Sequence, residues 1–175
     1  MFESWFDLRG LDGASGQALA RTPFKACLKQ GNTRLVEQFA ADTATPLLLR
    51  GRSWLVDKVL QRVWAALMQD AADELALAAV GGYGRRELMP GSDIDLLILL
   101  PDAAGDRYDR RTEALLTFLW DIGLEVGHSV RSIDECVAQS LADISVATNL
   151  MEARQLAGSA DLFARMQEAT GPAHI

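Results

Sequence analysis

Asp93 and Asp95 stand one residue apart at the mouth of "DIDLLILL" (93–100), a run that otherwise has the character of a buried strand. In an extended chain residues i and i+2 point to one face, about 6.5–7 Å apart. The two carboxylates therefore aim together while Ile94 turns into the packing. At that separation, with an effective dielectric of about 20, their repulsion is roughly 2–3 kcal/mol. A divalent cation beside them reverses the sign. Hard oxygen ligands with open positions suit Mg²⁺, which takes one or two carboxylates and completes its shell with substrate phosphates and water. Asp93 and Asp95 are thus the candidate metal ligands and catalytic residues.

Just upstream, Gly81, Gly82 and Gly84 follow a short apolar run, "LALAAV" (75–80). Glycines there permit a tight turn and close backbone approach to a ligand. The following "GRREL" is expected to open a short helix whose free N–H groups favour an anion. No Gly-Lys-Ser/Thr follows, so this is not a P-loop, and the spacing does not fit a dinucleotide fingerprint. Taken with the Ser-Asp-x-Asp segment, the turn is assigned to a nucleotide's phosphates.

The elements that must position these groups are read from periodicity. Strands are expected over 75–80, 93–100 and 124–132, with an amphipathic helix over 109–122 that turns Leu115, Leu116, Leu119 and Trp120 inward and stops at Gly123. The first seventy residues read as helical. In "RSWLVDKVLQRVWAALM" Val56, Leu60, Val63, Trp64 and Leu67 form one stripe, with Asp57, Lys58, Gln61 and Arg62 facing away. Ahead of it, two shorter helices are expected, interrupted at Gly31-Asn32, with Pro46 as a separator. Trp54 and Trp64 are assigned to the core. From 133 onward the chain reads as helices broken near Asp143 and at Gly158. Together these elements predict an α+β fold: a small mixed sheet with helices over 71–175, preceded by a helical extension over 1–70.

Bulk properties narrow the function. The 175 residues are 49% hydrophobic and 23% charged, an ordinary globular composition. A net charge of −7 argues against a nucleic-acid surface, which needs clustered Lys and Arg. No uncharged stretch is long enough to span a membrane. The acidic start "MFESWFDLRG" is unlike an export signal. Cys27 and Cys136, far apart and without companions, fit a reducing cytoplasm.

"GGYGRRELMPGSDIDLLILL" (81–100) resembles the nucleotidyltransferase signature of the DNA-polymerase-β-like superfamily. The longer pattern, with Glu87, Pro90 and Ser92 around the two aspartates, is similar to the bacterial PII-protein uridylyltransferase/uridylyl-removing enzymes. "LVDKVLQRVW", "FLWDIGLEVGHSVRSIDEC" and "DISVATNLMEARQLAG" extend that likeness over most of 25–165. The resemblance implies that Asp93 and Asp95 hold catalytic Mg²⁺ and that Gly81, Gly82 and Gly84 cradle the phosphates of UTP. It makes Ser92 a phosphate contact and Arg85 either a phosphate partner or, like Arg86, part of a solvated helix face; Glu87 would brace the turn. The implied reaction transfers UMP from UTP to a tyrosine of the PII nitrogen-regulatory protein, releasing pyrophosphate.

The pattern also departs from that family. The superfamily usually draws a third carboxylate from a neighbouring strand, expected near Gly127-His128, where this sequence has none. Glu125, Asp143 and Glu152 are the remaining candidates, with Glu125 and His128 expected on opposite sides of their strand; His128 is either a base or structural. Family members also carry an HD-type phosphohydrolase and ACT domains, so the chain is expected to be an N-terminal portion lacking uridylyl removal and glutamine sensing, with a transferase fold incomplete at its C-terminal side. Two other readings stay open: a nucleotidyltransferase using a different nucleotide or acceptor, and a nucleotide-binding regulatory fragment without turnover.

Overall fold

The structure, a computed structural model, describes residues 1–12 and 19–172, so His174 lies outside the described residues. After two short 3-10 turns come two long helices, α1 (Arg21–Ala40) and α2 (Thr45–Met68). The remainder is β1 (Ala76–Ala79), a one-turn helix α3 (Gly81–Gly84), β2 (Ile94–Leu99), α4 (Asp109–Asp121), β3 (Val126–Arg131), α5 (Ile133–Ala142), α6 (Ile144–Met151), β4 (Arg154–Gly158) and α7 (Ala160–Ala169). The four strands form one sheet in the order β3-β2-β1-β4. β1 is antiparallel to both its neighbours, and β2 and β3 run parallel. This is the mixed α+β architecture expected from the sequence.

Strand alternation divides the interior in two. Leu77, Ala79, Ile94, Leu96 and Ile98 join α1, α2 and α4 in one apolar cluster. Ala76, Ala78, Leu97 and Leu99 face Cys136, Leu150, Leu162 and Met166 of α5, α6 and α7 in the other. Both faces of the central strands are therefore covered, which is why they read as unbroken apolar runs. Among the described residues no helix is long and apolar enough to cross a membrane.

Several expectations need correction. α1 runs unbroken through Gly31-Asn32. Gly31 is buried, and a Cβ there would lie 2.2 Å from Leu55 Cδ2, so this glycine lets α1 close onto α2 rather than ending the helix. Pro46 sits in the first turn of α2, where its missing N–H is harmless. Trp64 is in the core, its Nε1 donating to the Ala72 carbonyl at 3.2 Å, and Trp54 stacks on Phe6. Trp120, expected inward, is about half exposed and meets His128 edge-to-face.

The segment expected as helix broken at Gly158 contains β4. Its "RQLAG" has helix-compatible composition, but pairing with β1 overrides a weak local preference. Gly158, at φ +88°, lies so near the Leu75 carbonyl that a Cβ would stand 2.2 Å from its oxygen. The break at Asp143 is present, because the Asp143 side chain accepts the Ser145 N–H and caps α6.

Candidate active site

Asp95 is the second residue of β2 and heads the line that Leu97 and Leu99 continue inward; Asp93 lies just before the strand. Asp95 is partly buried and Asp93 is exposed. Two glycines flank the Asp95 carboxylate. A Cβ on Gly81 would lie 3.3 Å from Oδ2, and one on Gly127 would lie 2.7 Å from Oδ1. Among the described residues, no side chain or backbone donor bonds either carboxylate. Burial first, and the Asp93 charge second, push the Asp95 carboxyl above the usual carboxylate range. Two acids with vacant lone pairs are a poor structural device and a good ligand set for a hard dication.

The glycine turn differs from expectation in register. The helical turn is Gly81–Gly84 itself, and "RREL" follows it, with Arg86 in the left-handed region at φ +62°. Gly81 needs its glycine on two counts, a φ of +59° and the Asp95 oxygen beside it. No side chain caps this turn, so its first N–H groups are open to an anion. Gly82 is unobstructed, its nearest neighbours being the Glu87 carbonyl oxygen at 3.7 Å and Arg85 Nη2 at 3.8 Å from a notional Cβ. Gly84 is different: it is buried, and a Cβ would stand 2.6 Å from the Glu152 carbonyl oxygen and 3.0 Å from that of Ala79. Its missing side chain serves chain packing beneath the turn.

That turn is tied down from below by residues far apart in the chain. The Tyr83 hydroxyl donates to Asp57 Oδ1 at 2.6 Å. Arg154, on β4, donates to the same carboxylate at 2.7 and 3.0 Å and to the Tyr83 and Gly84 carbonyls at 3.3 and 3.2 Å. The side chains of Arg154 and Asp57 are only 18% and 13% exposed. Asp57 was expected to face away with Gln61. Instead both face β4, Gln61 donating to the Leu156 carbonyl at 3.0 Å. Burial, then the Asp57 charge, raise the Tyr83 phenol well above its ordinary value, so it stays a neutral donor.

The other candidates fall into place around this centre. Arg85 is held by Glu87 at 2.9 Å and Glu152 at 2.5 Å, so Glu87 braces the arginine and Glu152 is already committed. Arg86 is exposed and has no ion-pair partner among the described residues. Ser92 lies exposed in the turn before Asp93, its N–H donating to the Met89 carbonyl. Asp143 is the α6 cap.

β3 pairs with β2 so that Gly127 is opposite Asp95 and His128 opposite Leu96. Glu125, exposed, precedes β3 by one residue and continues the Gly127 alternation beside Asp93; His128 turns the other way. No group of three or more His, Cys, Asp or Glu side chains able to hold a metal occurs among the described residues. Missed at the sequence level was Asn149 of α6, whose Oδ1 is 3.9 Å from the notional Cβ of Gly81, across from Asp95. An exposed asparagine inside a helix, where its propensity is poor, was the available signal.

Paired acids beside a glycine turn, at one end of a small mixed sheet, could hold a metal-bound nucleotide. The model of the nucleotidyltransferase domain family matches residues 60–155, and the chain belongs to that family. Among curated proteins it is similar to the bifunctional uridylyltransferase/uridylyl-removing enzymes. Identity is 50% with that of Pseudomonas putida (strain W619), 48% with that of Pseudomonas entomophila (strain L48) and 45% with that of Pseudomonas syringae pv. syringae (strain B728a). Each match covers 152 residues, 87% of this chain and 17% of the relative, so the chain spans about a sixth of the length of these relatives.

Proposed function

We propose that the chain carries the centre that transfers UMP from UTP to a tyrosine hydroxyl of a PII-type regulatory protein in the cytoplasm, with pyrophosphate released. The observation that carries this reading is the unpaired Asp93/Asp95 set, with the Asp95 carboxylate between Gly81 and Gly127 beside the uncapped glycine turn. Likeness to the uridylyltransferases supports the choice of UTP; the free, buried Cys27 and Cys136 fit a reducing compartment.

Asp93 and Asp95 would hold Mg²⁺, for which two oxygen donors without protein partners are a fitting set. When bound, the ion neutralises phosphate charge and stabilises the attacking and leaving oxygens. The chain itself does the positioning. The N–H groups at the start of Gly81–Gly84 face the phosphates, and Gly82 admits close backbone approach. Arg86, exposed and without a carboxylate of its own, would offset phosphate charge, while Arg85 keeps Glu87 and Glu152 neutralised. Ser92 offers a hydroxyl next to Asp93. The acceptor oxygen attacks the α-phosphorus in line, the bond to pyrophosphate breaks, and the phenolic proton passes to solvent water; little covalent work falls to the protein.

A second reading, a nucleotide-binding regulatory unit without turnover, is favoured by one observation: a glycine stands opposite Asp95 where a third carboxylate would be, and no three-ligand cluster occurs among the described residues. Labelled UTP, Mg²⁺ and a PII-type protein, with Asp93→Ala and Asp95→Ala alongside, separate the readings. Transfer that vanishes in both variants supports the uridylyltransferase. Binding without transfer supports the regulatory unit, and transfer from ATP in preference to UTP contradicts the nucleotide assignment.

A further inference from the structure

Between α1 and α2 lies a cleft of about 480 Å³ lined by Lys25, Lys29 and Arg52 and reaching Gly123 and Leu124. It shares Asn32, Val36 and Arg52 with a second, largely apolar groove of about 450 Å³ that continues past Phe39 to Pro90. The two form one channel, basic at one end and apolar at the other.

Among the described residues Lys25, Lys29, Arg50, Arg52, Lys58, Arg86, Arg110 and Arg131 have no carboxylate partner, and of these Lys25, Lys29 and Arg52 gather on this one cleft. Arg52 is half-buried, its Nη1 donates only to Asn32 Oδ1 at 3.1 Å, and its Nε is buried without an acceptor. A buried donor left open in this way costs stability until something accepts from it. In a chain of net charge −7, three free cations around one cleft are a local reversal of sign.

The apolar end is equally unsatisfied. Val36 and Phe39 are each 67% exposed, and Met89, beside Pro90, is 50% exposed. A free anion would use only the basic end; an occupant of both ends carries acidic and apolar groups side by side, as an acidic polypeptide segment does. The channel opens at the same end of the sheet as the paired acids, on the α1–α2 face and not the face that Asp95 shares with Leu97 and Leu99, so a bound segment reaches the acids around the end of the sheet. Pro90 is three residues before Asp93, and Leu124 adjoins Glu125, whose carbonyl accepts the Ile94 N–H at 2.8 Å.

We propose that this channel docks an acidic segment of the protein acceptor that also carries apolar side chains, holding it so that its hydroxyl-bearing loop reaches Asp93 and Asp95. The assignment rests on the reading of the chain as a transferase to a PII-type protein. Lys25, Lys29, Val36 and Phe39 touch neither the glycine turn nor the paired acids, so they govern the acceptor and not the nucleotide.

The test compares the protein with Lys25→Glu/Lys29→Glu and with Val36→Asp/Phe39→Asp, all surface positions. Three quantities are measured: calorimetric affinity for a PII-type protein, the acceptor KM for transfer, and the affinity for magnesium–UTP. Acceptor affinity should fall at least about tenfold in both double variants, the charge pair losing its salt dependence, with UTP affinity unchanged. Unchanged acceptor affinity and KM, with transfer intact, overturn the docking site and leave the function standing. A matching loss of UTP affinity also overturns it, by giving the channel to the nucleotide. Acceptor binding that depends on the channel while the unaltered protein transfers nothing upholds docking and removes the transferase reading. Neither binding nor transfer in the unaltered protein overturns both.

Discussion

Gly127 stands directly opposite Asp95 in the parallel β2–β3 pair, and a Cβ at that position would lie 2.7 Å from Asp95 Oδ1. The only room above the carboxylate on that side is the room glycine leaves. Gly127→Ala should therefore swing the Asp95 side chain, which is free to move, while the backbone stays put. Unfolding free energy should change by less than about 1 kcal/mol, since the clash is with a side-chain tip. Transfer should fall by about 10²-fold, the scale expected when a reacting group is displaced by an ångström. Denaturant titration and kcat measured on one preparation check both halves.

The glycine turn gives a paired prediction. Gly84→Ala drives a methyl group against the Glu152 and Ala79 carbonyl oxygens, which are backbone and cannot rotate away. Overpacking of this kind costs about 1–3 kcal/mol, here at the upper end. Gly82→Ala meets nothing closer than 3.7 Å and should leave the melting temperature nearly unchanged while weakening nucleotide binding. Thermal melts with and without magnesium–UTP distinguish the two.

Asp57 collects the Tyr83 hydroxyl and the Arg154 guanidinium in a largely buried site. Asp57→Ala leaves that cation without its partner and should destabilise the fold by about 3–5 kcal/mol. Tyr83→Phe removes a single hydrogen bond to a charged group, a loss of about 1.5–3 kcal/mol. Urea unfolding of both variants gives the order.

Burial and the neighbouring Asp93 raise the Asp95 carboxyl above its unfolded value. The folded state therefore holds this proton more tightly than the unfolded chain. Its contribution to stability is complete at acid pH below the unfolded value and disappears as pH rises through the raised one. In metal-free buffer Asp95→Asn should remove that slope and raise stability near neutrality by up to about 1 kcal/mol, solvent screening included. Magnesium should stabilise the unaltered protein there and leave the variant unaffected. Unfolding free energies across pH 3–7, with and without Mg²⁺, test the sign.

How much of this was legible from residues alone follows from the length scale of each signal. The buried β2 is local, and the strand period places it within a residue or so, whereas the helical turn falls on Gly81–Gly84 and not on the residues after it. Gly31 and Gly158 look like breakers because a lone sequence cannot distinguish a glycine that ends a helix from one that admits a neighbouring chain. β4 was hidden because "RQLAG" has no strand bias until β1 offers its edge. The Asp57–Tyr83–Arg154 group joins α2, α3 and β4, and no spacing rule connects positions so far apart. Asp57 looked solvated because β4, which its helix face covers, had not been recognised.

The central claim is that Asp93 and Asp95 are ligands to a dication that carries a nucleoside triphosphate. Crystals soaked in manganese and UTP, with anomalous data collected at the manganese edge, test it most directly. An anomalous peak about 2.1 Å from an oxygen of each aspartate, shared with phosphate oxygens lying against Gly81 and Gly82, is the predicted result. UTP bound elsewhere, or seated at the turn with no metal on either carboxylate, contradicts the account.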